Sequence, residues 1–197
     1  MEVAAVFDFD KTLTFRDTLW PFMQFTHGQV LAYQKAAGKL PQLTGYTLGL
    51  RSRQSTKEMM LRAFYAGKSI EELKNEGQRF ASGALNNHLR PEAIERLKWH
   101  QAQNHRCILV SASIDVYLEP WAKSMGFDEV ITSRLQVESG LVTGFLEGKN
   151  CWGPEKARRL RESIHKLDNY TIYAYGDSRG DRELLELADH PFYRRFK

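Results

Sequence analysis

The sequence predicts an α/β fold, in which a doubly wound parallel sheet carries a small helical domain inserted after the first strand. Two observations lead to this prediction: short apolar segments alternate with helical segments over much of the chain, and a long stretch of helical spacing follows the first apolar segment. The 197 residues suit one domain with an insertion, since single domains commonly hold about 100–200 residues. Hydrophobic residues make up 42% of the chain, which is enough to build a core and argues against disorder.

Four apolar segments are too short for helices and predict buried strands, which are typical of a Rossmann-like parallel sheet covered on both faces. Helix boundaries are indicated by Pro91 and Pro154 near two starts and by Gly126 after an end. The Ser139–Gly140 pair predicts a hairpin over residues 134–147. The predicted strands are 3–9, 107–111, 129–133 and 171–175, and the predicted helices are 91–105, 114–125, 154–167 and 180–188.

Residues 16–88 differ from the rest, because they have helical spacing and no clear strand. Breaks are expected at Pro21, Gly28, Pro41, Gly45 and Gly49. We therefore predict a core formed by residues 1–15 and 89–197, with residues 16–88 as a helical cap domain.

Composition excludes several classes of protein. The net charge of +4 is mild: it suits an anionic substrate or a membrane surface, but a charge this small is also typical of an ordinary solvated surface. No motif supports a nucleic-acid partner. No apolar run of about 18 residues predicts a transmembrane helix, and no signal peptide is indicated, because the N-terminus lacks a basic start and becomes acidic at residue 8. The two cysteines are expected to be reduced, which predicts a cytoplasmic location. Cys107 and Cys151 predict no disulfide framework, and the six histidines show no zinc-binding spacing.

Carboxylates and a hydroxyl follow three of the predicted strands. Asp8 and Asp10 end the first strand, Ser111 ends the second, and Asp177 and Asp181 follow the fourth. Each of these residues has an alternative role as a turn or helix-cap residue. Because the carboxyl ends of parallel strands meet at one edge of the sheet, we expect these groups to lie together. Carboxylates that are crowded in this way repel one another unless a cation intervenes, which predicts a Mg²⁺ site.

These residues also carry a resemblance to a known family. Residues 8–14 read Asp-Phe-Asp-Lys-Thr-Leu-Thr, and Ser111, Lys156 and the Gly-Asp-x₃-Asp motif of residues 176–181 follow in order. This pattern resembles the four motifs of the haloacid dehalogenase (HAD) superfamily. The helical insertion directly after the first motif is similar to the cap of the phosphoserine phosphatase-like subfamily. Two positions differ from those phosphatases, because Lys11 replaces a small residue and Gly180 replaces an Asn that is often found there.

The resemblance implies a role for each motif residue. Asp8 would be the nucleophile and Asp10 the general acid and base, while Lys156 would pair with Asp8 and the phosphate. Mg²⁺ would be held by the carboxylates of Asp8 and Asp177 and by the main-chain carbonyl of Asp10. Asp181 would bind the metal through a water molecule or support the residues that bind it.

The remaining implied contacts concern the substrate. Ser111 and the backbone amides near Phe9 and Ala112 would bind phosphoryl oxygens. Asp17 occupies the place of an acidic residue that grips a substrate amine, and Arg62 is the nearest counterpart of a cap arginine that grips a carboxylate. Arg51, Arg53 and Lys57 are the alternative candidates for this cap cation.

The function implied is that of a Mg²⁺-dependent phosphatase, an enzyme that hydrolyses a small-molecule phosphate ester through a phosphoaspartate. Three alternatives share the fold: a phosphotransferase, a lipid-phosphate phosphatase and a non-catalytic domain that binds phosphate esters. The aromatic and basic residues of the cap form its own core in one interpretation. In the other they form a surface for weak interfacial contact with a lipid head group, without membrane insertion.

Overall fold

The computed structural model describes residues 2–39, 49, 51–164 and 167–196. Its central element is a five-stranded parallel sheet with the strand order β3-β2-β1-β6-β7. The strands are β1 (Glu2–Phe7), β2 (Arg106–Ile114), β3 (Glu129–Ser133), β6 (Tyr170–Gly176) and β7 (His190–Tyr193). The predicted α/β class with a parallel sheet is confirmed.

Helices cover both faces of this sheet. On one face, Ala5 and Phe7 of β1 pack into a core with α5 (Pro91–Ala102) and α6 (Asp115–Ser124). On the other face, Ala4 and Val6 join a second core with α7 (Pro154–Ser163) and the short helix α8 (Arg182–Leu185). Successive strand residues point to opposite faces, so a strand that is buried on both faces is apolar throughout.

The helices that follow β1 lie where the cap was predicted. They are α1 (Leu19–His27), α2 (Gln29–Ala37), α3 (Arg53–Tyr65) and α4 (Ile70–Ser82), followed by a 3₁₀ turn at Ala84–His88. Pro21 does not break the chain as expected, because it lies in the first turn of α1, where its missing N–H is not needed. The break at Gly28 is confirmed, whereas those predicted at Pro41 and Gly45 lie outside the described residues.

The predicted hairpin is present as β4 (Leu135–Glu138) and β5 (Leu141–Leu146), and Ser139 and Gly140 both have the positive φ angles of a tight hairpin turn. It does not join the main sheet. Gly67 donates a backbone hydrogen bond to Val142, and Val142 donates one to Lys68, so the hairpin pairs with the α3–α4 connection. The hairpin thus ties the inserted helices to the chain that follows β3.

The edge strand β7 was missed by the sequence analysis. It is four residues long, contains Pro191 and pairs with β6. Proline is tolerated at the edge of a sheet because no further strand requires its N–H, but it weakens any strand pattern in the sequence. Among the described residues, no helix is long and apolar enough to cross a bilayer.

Candidate active site

The chain turns sharply after β1, which places the first motif at the edge of the sheet. Asp8 is still extended, and its N–H donates to the Tyr175 carbonyl 3.0 Å away. The predicted strand therefore ends earlier than residue 9, and a wide turn, Phe9–Leu13, follows with Lys11 at φ 65°. Thr14 donates its N–H to the Phe9 carbonyl and closes the turn. Asp8 and Asp10 consequently leave the strand in different directions and meet different partners.

Lys156 joins two buried carboxylates. Its Nζ donates to Oδ1 of Asp8 at 2.5 Å and to Oδ1 of Asp181 at 2.6 Å, while Thr12 Oγ1 donates to the other Asp8 oxygen at 2.9 Å. All three charged side chains are at most 7% exposed. Burial raises the pKa of Asp8 to about 6, although the Lys156 ammonium acts in the opposite direction. Burial would lower the pKa of Lys156, but the two carboxylates outweigh it and keep the ammonium charged.

Asp181 binds Lys156 and also fixes the loop that follows β6. Its Oδ2 accepts hydrogen bonds from the N–H groups of Asp177 and Ser178 at 3.2 and 3.0 Å and from Ser178 Oγ at 2.8 Å. Burial would raise the pKa of Asp181, but Lys156 and these donors keep it below its usual value. With both oxygens engaged, Asp181 is a positioning group for Lys156 and Asp177.

A candidate metal position lies among the carboxylates of Asp8, Asp177 and Asp181. One carboxylate oxygen from each of Asp8, Asp177 and Asp181 can be chosen such that all three lie within 4.8 Å of one another. Burial and the neighbouring Asp181 raise the pKa of Asp177, although Lys11, Arg194 and Lys156 act in the opposite direction. This all-oxygen donor set fits a hard divalent cation such as Mg²⁺. The predicted contribution of the Asp10 carbonyl stays a prediction.

Asp10 is held by a separate set of hydroxyl groups. Thr18 donates its N–H and Oγ1 to Oδ1 of Asp10 at 2.8 and 2.7 Å, and Ser113 Oγ donates to Oδ2 at 2.5 Å. The Tyr117 hydroxyl donates to Ser113 at 2.9 Å and lies 3.0 Å from Thr18 Oγ1. Burial, followed by repulsion from Asp17, raises the pKa of Asp10 to about 7. A carboxyl group that titrates near neutrality can both give and take a proton.

The sequence analysis missed Thr18, Ser113 and Tyr117. Ser113 stands two residues after the predicted Ser111, and Tyr117 lies one helical turn further along, on α6. The structure extends β2 to Ile114, so Ser111 and Ser113 both lie inside the strand, and two hydroxyl residues at alternate positions near its end were the available signal. Ser111 itself is buried, and its Oγ accepts the Ser113 N–H at 3.0 Å, so it helps to place the residue that holds Asp10.

The backbone positions predicted to bind phosphate lie at the same edge. The Phe9 ring packs against Trp121 in the core, with ring centroids 4.8 Å apart, which leaves only its backbone to face the site. The Ala112 carbonyl accepts a hydrogen bond from Lys57 of the cap helix α3. Phosphate binding by Ser111 and by the amides of Phe9 and Ala112 stays a prediction.

The cap cation at the site is Lys57, because Arg62 lies elsewhere. Arg62 is exposed, and its guanidinium carbon lies 4.7 Å from the centroid of the Phe145 ring on the β4–β5 hairpin. A Cβ on Gly144 would lie 2.5 Å from the Arg62 Cα, so α3 packs directly on the hairpin at this point. The structure therefore does not support the assignment of Arg62 as the residue that grips a substrate carboxylate.

Lys57, one of the alternative candidates, lies close to the motif residues instead. Its Nζ also donates to Oδ1 of Asn150 at 3.0 Å, and the charges of Asp10 and Asp17 act on it. Burial lowers the pKa of Lys57 to about 8. Asp17 is exposed and accepts the Leu19 N–H at 3.0 Å, and its charge also acts on Asp10. A cation and an anion thus flank Asp10 on the cap side.

The change at Gly180 has a local cause. A Cβ on Gly180 would lie 2.2 Å from Nε1 of Trp152, so this indole occupies the space that a side chain would fill. The Trp152 ring in turn lies 4.8 Å from the guanidinium carbon of Arg53 on α3. The side chain expected at position 180 is replaced here by an aromatic contact between α3 and the loop before α7.

Comparison with known proteins identifies the family. A family model described as haloacid dehalogenase-like hydrolase matches residues 5–186. The chain belongs to this family. Protein CicA of Caulobacter vibrioides is 33% identical over 192 residues, which cover 97% of this chain and 85% of that protein. A Mycobacterium tuberculosis protein named as a probable phosphatase is 26% identical over 200 residues, which cover 95% of this chain and 67% of that protein.

Two solved structures share the fold. A protein of unknown function from Bordetella pertussis has a TM-score of 0.83 at 24% identity, covering 94% of this chain and 86% of that chain. Phosphoserine phosphatase in its apo form has a TM-score of 0.64 at 19% identity, covering 95% and 84%. The HAD-like fold and the resemblance to phosphoserine phosphatases are therefore confirmed.

Proposed function

We propose that this protein is a Mg²⁺-dependent phosphatase that hydrolyses a small phosphate monoester through a phosphoaspartate on Asp8. The observation that carries the proposal is that the two motif carboxylates have different hydrogen-bond partners. Asp8 is fixed by Lys156 and Thr12, whereas Asp10 is held by Thr18 and Ser113 and has a pKa near 7. One carboxylate is placed as a charged nucleophile and the other as a group that exchanges protons.

In the first step, an Asp8 oxygen forms a bond to phosphorus while the bond from phosphorus to the ester oxygen breaks. Protonated Asp10 gives its proton to the departing alkoxide, so the alcohol leaves neutral. In the second step, Asp10 takes a proton from a water molecule that attacks the acyl phosphate. Phosphate leaves and the Asp8 carboxylate is restored, so atoms and charges balance over the cycle.

Positive charge is needed around the phosphoryl group throughout this cycle. Lys156 supplies one charge directly at the nucleophile, with Asp181 fixing its position. Mg²⁺ held by Asp8, Asp177 and the Asp10 carbonyl would supply the rest, since it allows an anionic nucleophile to approach an anionic ester. Because Asp181 already accepts four hydrogen bonds, we assign it to this site through Lys156 and the Asp177 loop.

The cap side of the site indicates the kind of ester. Lys57 and Asp17 place one positive and one negative charge near Asp10, which suits a leaving group with its own charges. The names of two similar proteins, a probable phosphatase and a phosphoserine phosphatase, support the same reaction class. We therefore favour a small polar ester, with phospho-amino acids and amino-alcohol phosphates among the first to be tried.

The test is phosphate release from a panel of esters, with Mg²⁺ and with EDTA. The panel holds phospho-amino acids, amino-alcohol phosphates, sugar and polyol phosphates and lipid phosphates. Asp8→Asn is the matched variant, because it removes the nucleophile with little change of shape. We expect Mg²⁺-dependent release that Asp8→Asn abolishes. Undiminished turnover by a folded Asp8→Asn variant would exclude the phosphoaspartate.

A further inference from the structure

A cavity of about 790 Å³ borders the carboxylate cluster at Thr12 and Asp177. It extends from there between the first half of α5 and the chain that follows β7. Its volume falls within the range of pockets that hold whole small molecules, about 300–1,000 Å³. None of the proposed catalytic steps uses this space, which we call the arginine cavity.

The lining of the arginine cavity is unusually rich in cations. Three carboxylates also line it, and one of them, Asp177, belongs to the proposed metal site. Positive charges are therefore in excess, which favours an anionic ligand. The five cationic side chains are Lys11, Arg90, Arg96, Arg194 and Arg195.

Three of the arginines are anchored in the same way, each through its Nε. Arg90 donates to the Thr14 carbonyl at 3.0 Å. Arg96 donates to the Tyr175 hydroxyl at 2.6 Å, and Arg194 donates to the Asp177 carbonyl at 2.8 Å. These bonds engage the Nε of each guanidinium group and not its terminal nitrogens, the usual donors to phosphate oxygens. One of those terminal nitrogens, Nη1 of Arg90, lies 3.5 Å from the Glu92 carboxylate.

Two of these guanidinium groups also lie over aromatic rings. The Arg96 guanidinium carbon lies 4.1 Å from the Trp99 ring centroid, and that of Arg90 lies 5.0 Å from the Phe15 ring. The rings are 42% and 54% exposed, so they form part of the cavity wall and are not core side chains. Arginines that are stacked and anchored lose little rotamer entropy when a ligand binds, which is the property of a prepared anion site.

We propose that the arginine cavity binds a small polyanion with at least two linked phosphate groups, either free pyrophosphate or the diphosphate of a nucleotide. Several guanidinium groups distributed around one cavity suit a ligand with more than one anionic centre, whereas a lone phosphate would meet only part of them. This proposal does not depend on the proposed phosphatase reaction, because none of the five cationic side chains of the cavity takes part in it. Arg194 links the two places, since it holds the main chain of Asp177.

The test is isothermal titration of pyrophosphate and, separately, of ADP into the protein in EDTA. We expect one pyrophosphate per chain, and at least a tenfold weaker affinity in the double variant Arg194→Gln, Arg195→Gln. Both arginines are exposed, so their replacement should leave the fold intact. The matched control is Arg182→Gln, which removes an exposed arginine that is paired with Glu186 outside the cavity. The control should bind as the wild type does.

Pyrophosphate could also enter the catalytic cluster, and Lys57→Gln distinguishes the two places. Affinity that falls in Lys57→Gln but not in the double variant would place the anion at the catalytic cluster and overturn the proposal. A loss in Arg182→Gln at least half as large, on a logarithmic scale, as that in the double variant would also overturn it, because net charge alone would then explain the effect: the control removes one charge and the double variant two. Absence of binding by both ligands at millimolar concentration would do the same. Tighter binding of ADP than of pyrophosphate would support the nucleotide as the source of the diphosphate.

Discussion

Replacement of the buried lysine should destabilise the fold in a way that depends on pH. Lys156→Met keeps the length of the side chain but removes its ammonium from between Asp8 and Asp181, at 2.5 and 2.6 Å. Removing one partner from a buried ion pair costs about 3–5 kcal/mol. For a chain of this size about 2–4 °C of melting temperature corresponds to each kcal/mol, so we expect a fall of about 6–20 °C at pH 8.

The loss should shrink as the pH falls. Burial already raises the pKa of Asp8 to about 6 beside Lys156, and without the ammonium this pKa rises further. A carboxyl group whose pKa is higher in the folded state than in the unfolded state takes up a proton on folding. The Lys156→Met variant is therefore most stable at low pH and loses stability as the pH rises through the folded-state pKa of Asp8. The deficit in melting temperature should therefore be small at pH 5.5 and largest at pH 8.

The assay is thermal unfolding followed by circular dichroism at pH 5.5, 7 and 8, in EDTA. Lys156→Arg retains the charge and should restore part of the stability at pH 8. Arg182→Met removes an exposed arginine and should leave the melting temperature unchanged, since surface pairs contribute little. A deficit below about 3 °C at pH 8, or one that is equal at pH 5.5 and 8, would refute the electrostatic reasoning.

Three further predictions concern catalysis. Ser113→Ala removes a charge-assisted hydrogen bond to Asp10, which typically contributes about 1.5–3 kcal/mol. We therefore expect kcat/KM for alkyl phosphates to fall about 10-fold or more. The fall should be smaller for p-nitrophenyl phosphate, because its leaving group needs no proton from an acid. Lys57→Gln should raise KM for an anionic ester several-fold, whereas Arg62→Gln should leave KM unchanged, because Arg62 packs against the Phe145 ring of the hairpin. Asp17→Asn removes a charge that raises the pKa of Asp10, so activity that needs protonated Asp10 should be lost at a lower pH than in the wild type.

Each of these predictions has an outcome that contradicts it. Equal losses for alkyl and p-nitrophenyl esters would show that Ser113 acts on the fold and not through Asp10. A larger effect of Arg62→Gln than of Lys57→Gln would reverse our assignment of the cap cation. An alkaline limb of the pH–rate profile that stays in place in Asp17→Asn would show that this limb belongs to another group.

The sequence alone indicated which carboxylates gather at one edge of the sheet, because the fold leaves them little freedom. Strands buried on both faces must be apolar throughout, so the polar residues that follow them stand out as strand ends. Parallel strands present their carboxyl ends at one edge, which is why Asp8 and Asp177 could be placed together before any distance was known. Their observed grouping with Asp181 follows from this rule.

Other features depend on tertiary packing that local patterns do not encode. Ser113 is 103 residues from Asp10 in sequence, and neither Tyr117 nor Thr18 is marked by a motif. Lys57 and Arg62 lie about 140° apart around one helix, so the hairpin packed on α3 decides which of them faces the site. The sequence determined which groups end the strands, since strand length and the pattern of apolar residues are local properties. The tertiary structure decided what surrounds those groups, since the contacts depend on how distant helices and turns pack against one another.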